Sequence, residues 1–197
     1  MLPIYLASSS PRRSMLLEQL GLPFTVVVPE VEEEVQEGLP PHQLVETLAL
    51  RKAGAVAPSI SKGLVVAADT VVVWQGKVLG KPADAREAAE MLSLLAGNEH
   101  EVFTGVAVME KPSGRRVVTH ERTRVRFRPL TTEEIARYVA TGEPLDKAGA
   151  YAAQGLGAIF IAGIRGCYFN VVGLPLARLA QVLKEFGVDP LEYVQNN

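Results

Sequence analysis

Residues 64–68, Leu-Val-Val-Ala-Ala, form an uninterrupted apolar run with Asp69 at its carboxyl end. A strand open to water on one face would alternate polar and apolar side chains, so this run predicts a strand covered on both faces. A sheet covered on both faces needs helices, and the flanking sequence supplies them. Periodicity and turn residues predict a strand over 4–7 and a helix from Pro11 toward Gly21, with Ser10 as its cap and Met15, Leu16, Leu17 and Leu20 as its stripe. A strand over 24–28 follows, then the acidic run Glu30, Glu32, Glu33, Glu34 and Glu37, then a helix over 41–57.

Beyond residue 69, segments 70–74 and 77–79 read as a hairpin about Gln75-Gly76. Asp84 with Glu87 opens a helix to about residue 96, and Thr131 with Glu134 opens another ending near Gly142. Strands are expected over 101–109, 116–127, 158–164 and 168–172. A last helix from Pro175 carries the stripe Leu176, Leu179, Leu183 and Phe186. The pattern predicts one α/β domain over 1–197, with two lobes.

Composition narrows the functional classes. With 48% apolar residues, folding can bury roughly 70% of the chain's unfolded surface, so the core needs neither disulfide nor structural metal. Twenty Lys and Arg against 22 Asp and Glu leave a net charge of −2, which offers no global field for nucleic acid or an anionic membrane. No apolar run approaches the roughly 20 residues of a membrane span. The arginines follow the first apolar stretch instead of preceding it, the reverse of a secretory signal. A cytoplasmic protein is expected.

Three constellations carry candidate chemistry. At Ser8-Ser9-Ser10-Pro11-Arg12-Arg13 a strand hands over to a helix, and free N–H groups, hydroxyls and two guanidinium groups together make an anion site. Carboxylates collect where two strands end, at Asp69 and around Glu32, and oxygen ligands of this kind suit Mg²⁺ or Mn²⁺. Lys52 falls inside the apolar stripe of Leu44, Val45, Leu48, Ala49, Ala53 and Val56. A lysine there needs a carboxylate, an anion or a snorkelling path to water. Gly80-Lys81-Pro82 is no Walker A motif, because Pro82 stands where a Ser or Thr must hold the metal, but Lys81 stays a candidate phosphate contact. Arg122, Arg124, Arg126 and Arg128 alternate opposite Val125 and Phe127 as a solvated face.

Read together, these segments resemble the Maf nucleoside triphosphate pyrophosphatases, known also as septum-formation proteins. The resemblance rests on residues 6–13, Val31-Glu32-Glu33, Lys52-Ala53, Ala68-Asp69-Thr70, Gly80-Lys81-Pro82, residues 146–151, Gln154-Gly155 and residues 172–175. It implies a mixed, elongated α/β sheet with flanking helices, similar to that of inosine triphosphate pyrophosphatases, with a cleft between two lobes. It further implies a homodimer that cleaves nucleoside triphosphates to monophosphate and pyrophosphate with a divalent metal. Carried over by position, it makes Asp69 the proton acceptor and a metal ligand with Glu32. Ser8, Ser10, Arg12, Arg13, Lys52, Lys81, Asp146 and Lys147 become the substrate-binding set.

Arg12, Thr70 and Gln154 together resemble the branch acting on dTTP and UTP. An amide such as Gln154 offers both a donor and an acceptor to the O4 and N3–H edge of the base. The alternatives are removal of modified purine nucleotides such as 7-methyl-GTP, and a nucleotide sensor of cell division that does not hydrolyse. Tyr151-Ala152 departs from the family's usual tyrosine-glycine step.

Overall fold

The computed structural model describes residues 2–31 and 38–195. Glu32, the candidate metal ligand, lies outside the described residues with the rest of the acidic run from 32 to 37. Seven strands form one mixed sheet: β1 (Ile4–Ala7), β2 (Phe24–Val27), β3 (Gly63–Trp74), β4 (Lys77–Leu79), β5 (Glu99–Lys111), β6 (Arg116–Phe127) and β7 (Ile161–Arg165). Their order is β2-β1-β3-β5-β6-β7, with β4 on β3. β1 runs parallel to both β2 and β3, whereas β4 and β7 pair antiparallel. The helices are α1 (Pro11–Glu18), α2 (Pro41–Val56), α3 (Ala85–Leu95), α4 (Thr132–Ala140), α5 (Tyr168–Val172), α6 (Leu176–Glu185) and α7 (Pro190–Gln195). Among the described residues no helix is long and apolar enough to cross a membrane.

The chain divides into two compact units, Met1–Asp69 with Thr104–Glu121 and Gly173–Asn197, and Thr70–Phe103 with Arg122–Val172. In the first, the buried face of α2 and the covered strands share a core of Ala7, Ala49, Ala53, Val56, Val65, Ala67 and Ala107. The small side chains bring helix and sheet close. A Cβ at Gly105 of β5 would stand 2.2 Å from the Val45 carbonyl oxygen, so only glycine fits there. In the second unit, Val72, Leu79, Leu92, Phe127, Tyr138 and Phe160 form the core beneath α3 and α4. Both helices start as expected. Asp84 accepts the Glu87 N–H at 2.8 Å, and Thr131 and Glu134 bond each other's backbone at 3.2 and 2.9 Å.

Several expectations change. The strand at 64–68 does not end at Asp69; β3 runs on through Asp69 and Thr70 to the hairpin, where Gln75 and Gly76 both have positive φ. The polar pair interrupts the apolar pattern without interrupting the ladder. Residues 168–172 form a helical turn and not a strand, and the strand expected over 158–164 starts only at Ile161. A five-residue segment cannot distinguish the two periods. The single cysteine, Cys167, is free and half-buried. α1 ends at Glu18, ahead of the Gly21 terminator.

Candidate functional site

In the first unit the site grows from the pairing of β1 with β3. Ala7 lies opposite Ala67, the last pair of the β1–β3 ladder, so β1 ends two register positions short of Asp69. The serine-arginine segment therefore leaves β1 at the end of that strand nearer to Asp69. The chain turns away at once: the Ser8 N–H donates to the Leu6 carbonyl at 3.0 Å. Ser8 is buried, and its Oγ accepts the Ser10 N–H at 3.1 Å.

Ser10 occupies the N-cap position of α1, as expected, but its hydroxyl makes no capping bond. Ser8 engages its backbone instead. The first turn of α1 therefore has neither a side-chain cap nor an acidic residue, and this end of the helix attracts anions. Arg12 and Arg13 follow, both half-buried. Arg13 donates through Nε to the Gly173 carbonyl at 2.8 Å, which fixes the plane of its guanidinium.

Lys52 resolves the tension in the α2 stripe by pairing with Asp69. Both side chains keep only 11% of their exposure. The lysine enters from the helix covering the sheet, and the carboxylate rises from mid-strand to meet it. Asp69 is thus held as an oriented carboxylate, the kind of group that can direct an attacking water.

The second unit gathers other candidates. Thr70 follows Asp69 in β3 and is half-buried, while Lys81 is exposed just after β4. The Gly149 N–H donates to the Gly80 carbonyl at 3.0 Å, tying the Lys81 segment to the loop that carries Asp146 and Lys147. Lys147 Nζ donates to Asp146 Oδ1 at 2.5 Å and to the Glu143 carbonyl at 2.6 Å. Gln154 is half-buried, and its Oε1 is buried without a hydrogen-bond partner.

The sequence reading missed Glu143 and Tyr138. Glu143 Oε1 accepts the Tyr138 O–H at 2.8 Å and the Gly157 N–H at 3.0 Å, while Oε2 accepts the Leu156 N–H at 3.0 Å. Burial pushes the Glu143 carboxyl up, but these donors outweigh it and hold the group below the usual carboxylate range. Burial, reinforced by Glu143, raises the Tyr138 phenol. Two arginines of β6 pair with a glutamate, Arg122 2.8 Å and Arg124 3.5 Å from the Glu101 carboxylate.

No group of three His, Cys, Asp or Glu among the described residues forms a ready metal cage. A hard cation such as Mg²⁺ does not need one, because it takes one or two carboxylates and completes its shell with substrate oxygens and water. The partly accessible Asp69 carboxylate, 8% exposed as a residue, fits that donor set.

A family model described as Maf-like protein matches residues 3–186. The chain belongs to the Maf-like family. A relative from Desulforamulus reducens named dTTP/UTP pyrophosphatase is 58% identical to this Maf-like chain over 189 residues, 96% of it and 99% of the relative. Relatives of the same name from Pelotomaculum thermopropionicum and Moorella thermoacetica are 60% and 56% identical, covering 95% and 94% of this chain and 98% and 96% of their own. Among solved structures, the Staphylococcus aureus Ham1 protein is 16% identical with a TM-score of 0.46, covering 81% of the Maf-like chain and 79% of its own.

Proposed function

We propose that this chain hydrolyses dTTP and UTP to the nucleoside monophosphate and pyrophosphate. The observation that carries the reading is the buried Lys52–Asp69 pair, in the same unit as the uncapped helix start at Ser10. The name shared by relatives 56–60% identical to it supports the substrate pair.

In this reading a water molecule attacks the α-phosphorus. Its oxygen forms the new P–O bond, the bond to the bridging oxygen of the β-phosphate breaks, and Asp69 takes the proton. Lys52 holds the carboxylate toward the reacting centre. Ser8, Ser10, Arg12 and Arg13 bind phosphate oxygens and offset charge developing on the leaving pyrophosphate. Lys81, Asp146 and Lys147 are assigned to the triphosphate, and Arg12, Thr70 and Gln154 to the choice of base. Asp69 and Glu32 would hold Mg²⁺ or Mn²⁺, which supplies neutralising charge to the phosphate oxygens.

The same reading makes the protein a cytoplasmic homodimer in nucleotide metabolism or division control, with neither nucleic acid nor membrane as partner. The pairing of Arg122 and Arg124 with Glu101 supports the nucleic-acid part of the reading.

The test is pyrophosphate release from dTTP, UTP, CTP, ITP and 7-methyl-GTP, with and without Mg²⁺. Metal-dependent turnover concentrated on dTTP and UTP is expected. Preference for the modified purine, or binding without turnover, would replace this reading with one of the alternatives.

A further inference from the structure

Glu143 plays no part in the reaction as described, yet it organises the segment that carries Gln154. Its carboxylate accepts the N–H groups of Leu156 and Gly157 and the hydroxyl of Tyr138. The phenol oxygen in turn accepts the Ala152 N–H at 3.2 Å. Gly155 has a φ of 144°, and a Cβ there would stand 2.7 Å from Glu143 Oε2. The backbone from 152 to 157 is therefore drawn around one carboxylate, and Gln154 sits within that span. Glu143 also accepts Lys147 Nζ through its carbonyl.

Gln154 Oε1 is buried without a partner, which costs free energy that a relaxed loop would recover by turning the amide to water. Something must prevent that turn. The bonds to the Glu143 carboxylate are charge-assisted, because the group stays ionised at neutral pH, and they are stronger than neutral ones.

We propose that Glu143 is a positioning residue for base selection, which holds the 152–157 loop so that the Gln154 amide faces the pyrimidine, and links that loop to Lys147. The proposal rests on the reading of the chain as a dTTP/UTP pyrophosphatase with Gln154 at the base. UTP presents O4 and N3–H, whereas CTP presents an amino group and an unprotonated N3. A fixed amide distinguishes them, and a loose one adapts to either.

The experiment measures kcat and KM of the full chain for UTP and CTP with Mg²⁺, alongside thermal melting. In Glu143→Gln the new NH₂ group meets the Leu156 N–H donor to donor, and the kcat/KM preference for UTP should fall fivefold or more. A smaller fall overturns the proposal, whatever happens to the melting temperature. Tyr138→Phe, which leaves the carboxylate in place, serves if the first variant does not fold. Its preference should fall threefold or more, and a smaller fall again refutes. In a Gln154→Ala background the Glu143→Gln change should alter the preference less than twofold; a full additional fall would show that Glu143 does not act through Gln154. Wild-type protein inactive on UTP would overturn the proposed function and this inference with it, whereas an active wild type with unchanged variants overturns the inference alone.

Discussion

Replacing Lys52 with Met removes the ammonium group but keeps most of the apolar stem, and leaves the Asp69 carboxylate in a site where each partner retained 11% exposure. Removing one member of a buried pair costs about 3–5 kcal/mol, chiefly because the survivor stays desolvated and unpaired. Residual access to water favours the lower end, about 3 kcal/mol. For a chain of this size that corresponds to a fall in melting temperature of about 6–12 °C.

Asp69→Asn leaves the complementary problem, a buried ammonium deprived of this carboxylate, and should cost a similar amount. It should also abolish turnover, because it removes the proton acceptor. The double variant Lys52→Met/Asp69→Asn buries neither charge, so its loss should be smaller than the sum of the single losses by about 2–3 kcal/mol. Urea unfolding of the four proteins completes the cycle. Additive losses, with coupling below about 0.5 kcal/mol, would refute the claim that the two side chains hold each other.

Two further predictions concern stability. His100 is buried against Tyr151 and Phe127, its Nε2 lies 2.9 Å from the Tyr151 hydroxyl, and its Nδ1 is buried without a partner. Burial lowers its pKa from 6.5 to about 4. Between those values the unfolded chain binds the proton and the folded chain does not, so stability should fall by about 3 kcal/mol as pH drops from 6.5 to 4. Urea unfolding across that range should show the slope in wild type and a clearly shallower one in His100→Phe, where carboxylates such as Glu143 still contribute near the acid end; an equal slope in both would contradict the assignment. Gly105→Ala drives a methyl group to 2.2 Å from the Val45 carbonyl oxygen, and should cost upwards of about 3 kcal/mol in melting experiments. A change within about 0.5 kcal/mol, the usual range for surface substitutions, would mean α2 lies farther from β5 than described.

Much of the first unit was legible because its signals are local. The 4–7 strand, the Pro11 start and the α2 stripe each follow from neighbours within a turn or two. Lys52 could be singled out because a charge inside an apolar stripe must find a partner. Which partner it finds could not be read, since Asp69 is 17 residues away on another element. For the same reason β3 was cut short: a buried carboxylate in mid-strand is tolerable only once the lysine is known.

The second unit hid more. Asn170 donates to the Val102 carbonyl and to Thr123 Oγ1, 68 and 47 residues away, and no local pattern reveals bonds of that kind around α5. Glu143 gathers partners 5, 13 and 14 residues distant across a glycine-rich stretch without periodicity. Its sequence context is an acidic residue before a proline and nothing more. The resemblance identified Gln154 as important, whereas what holds it in place became visible only in three dimensions.

The central claim is that Asp69 directs water to the α-phosphorus. The most direct measurement is phosphorus NMR of dTTP incubated with the protein and Mg²⁺ in oxygen-18 water. The account predicts dTMP and pyrophosphate, with the heavy oxygen in dTMP. Heavy oxygen in the pyrophosphate, or release of dTDP and inorganic phosphate, would place the attack at another phosphorus and contradict it.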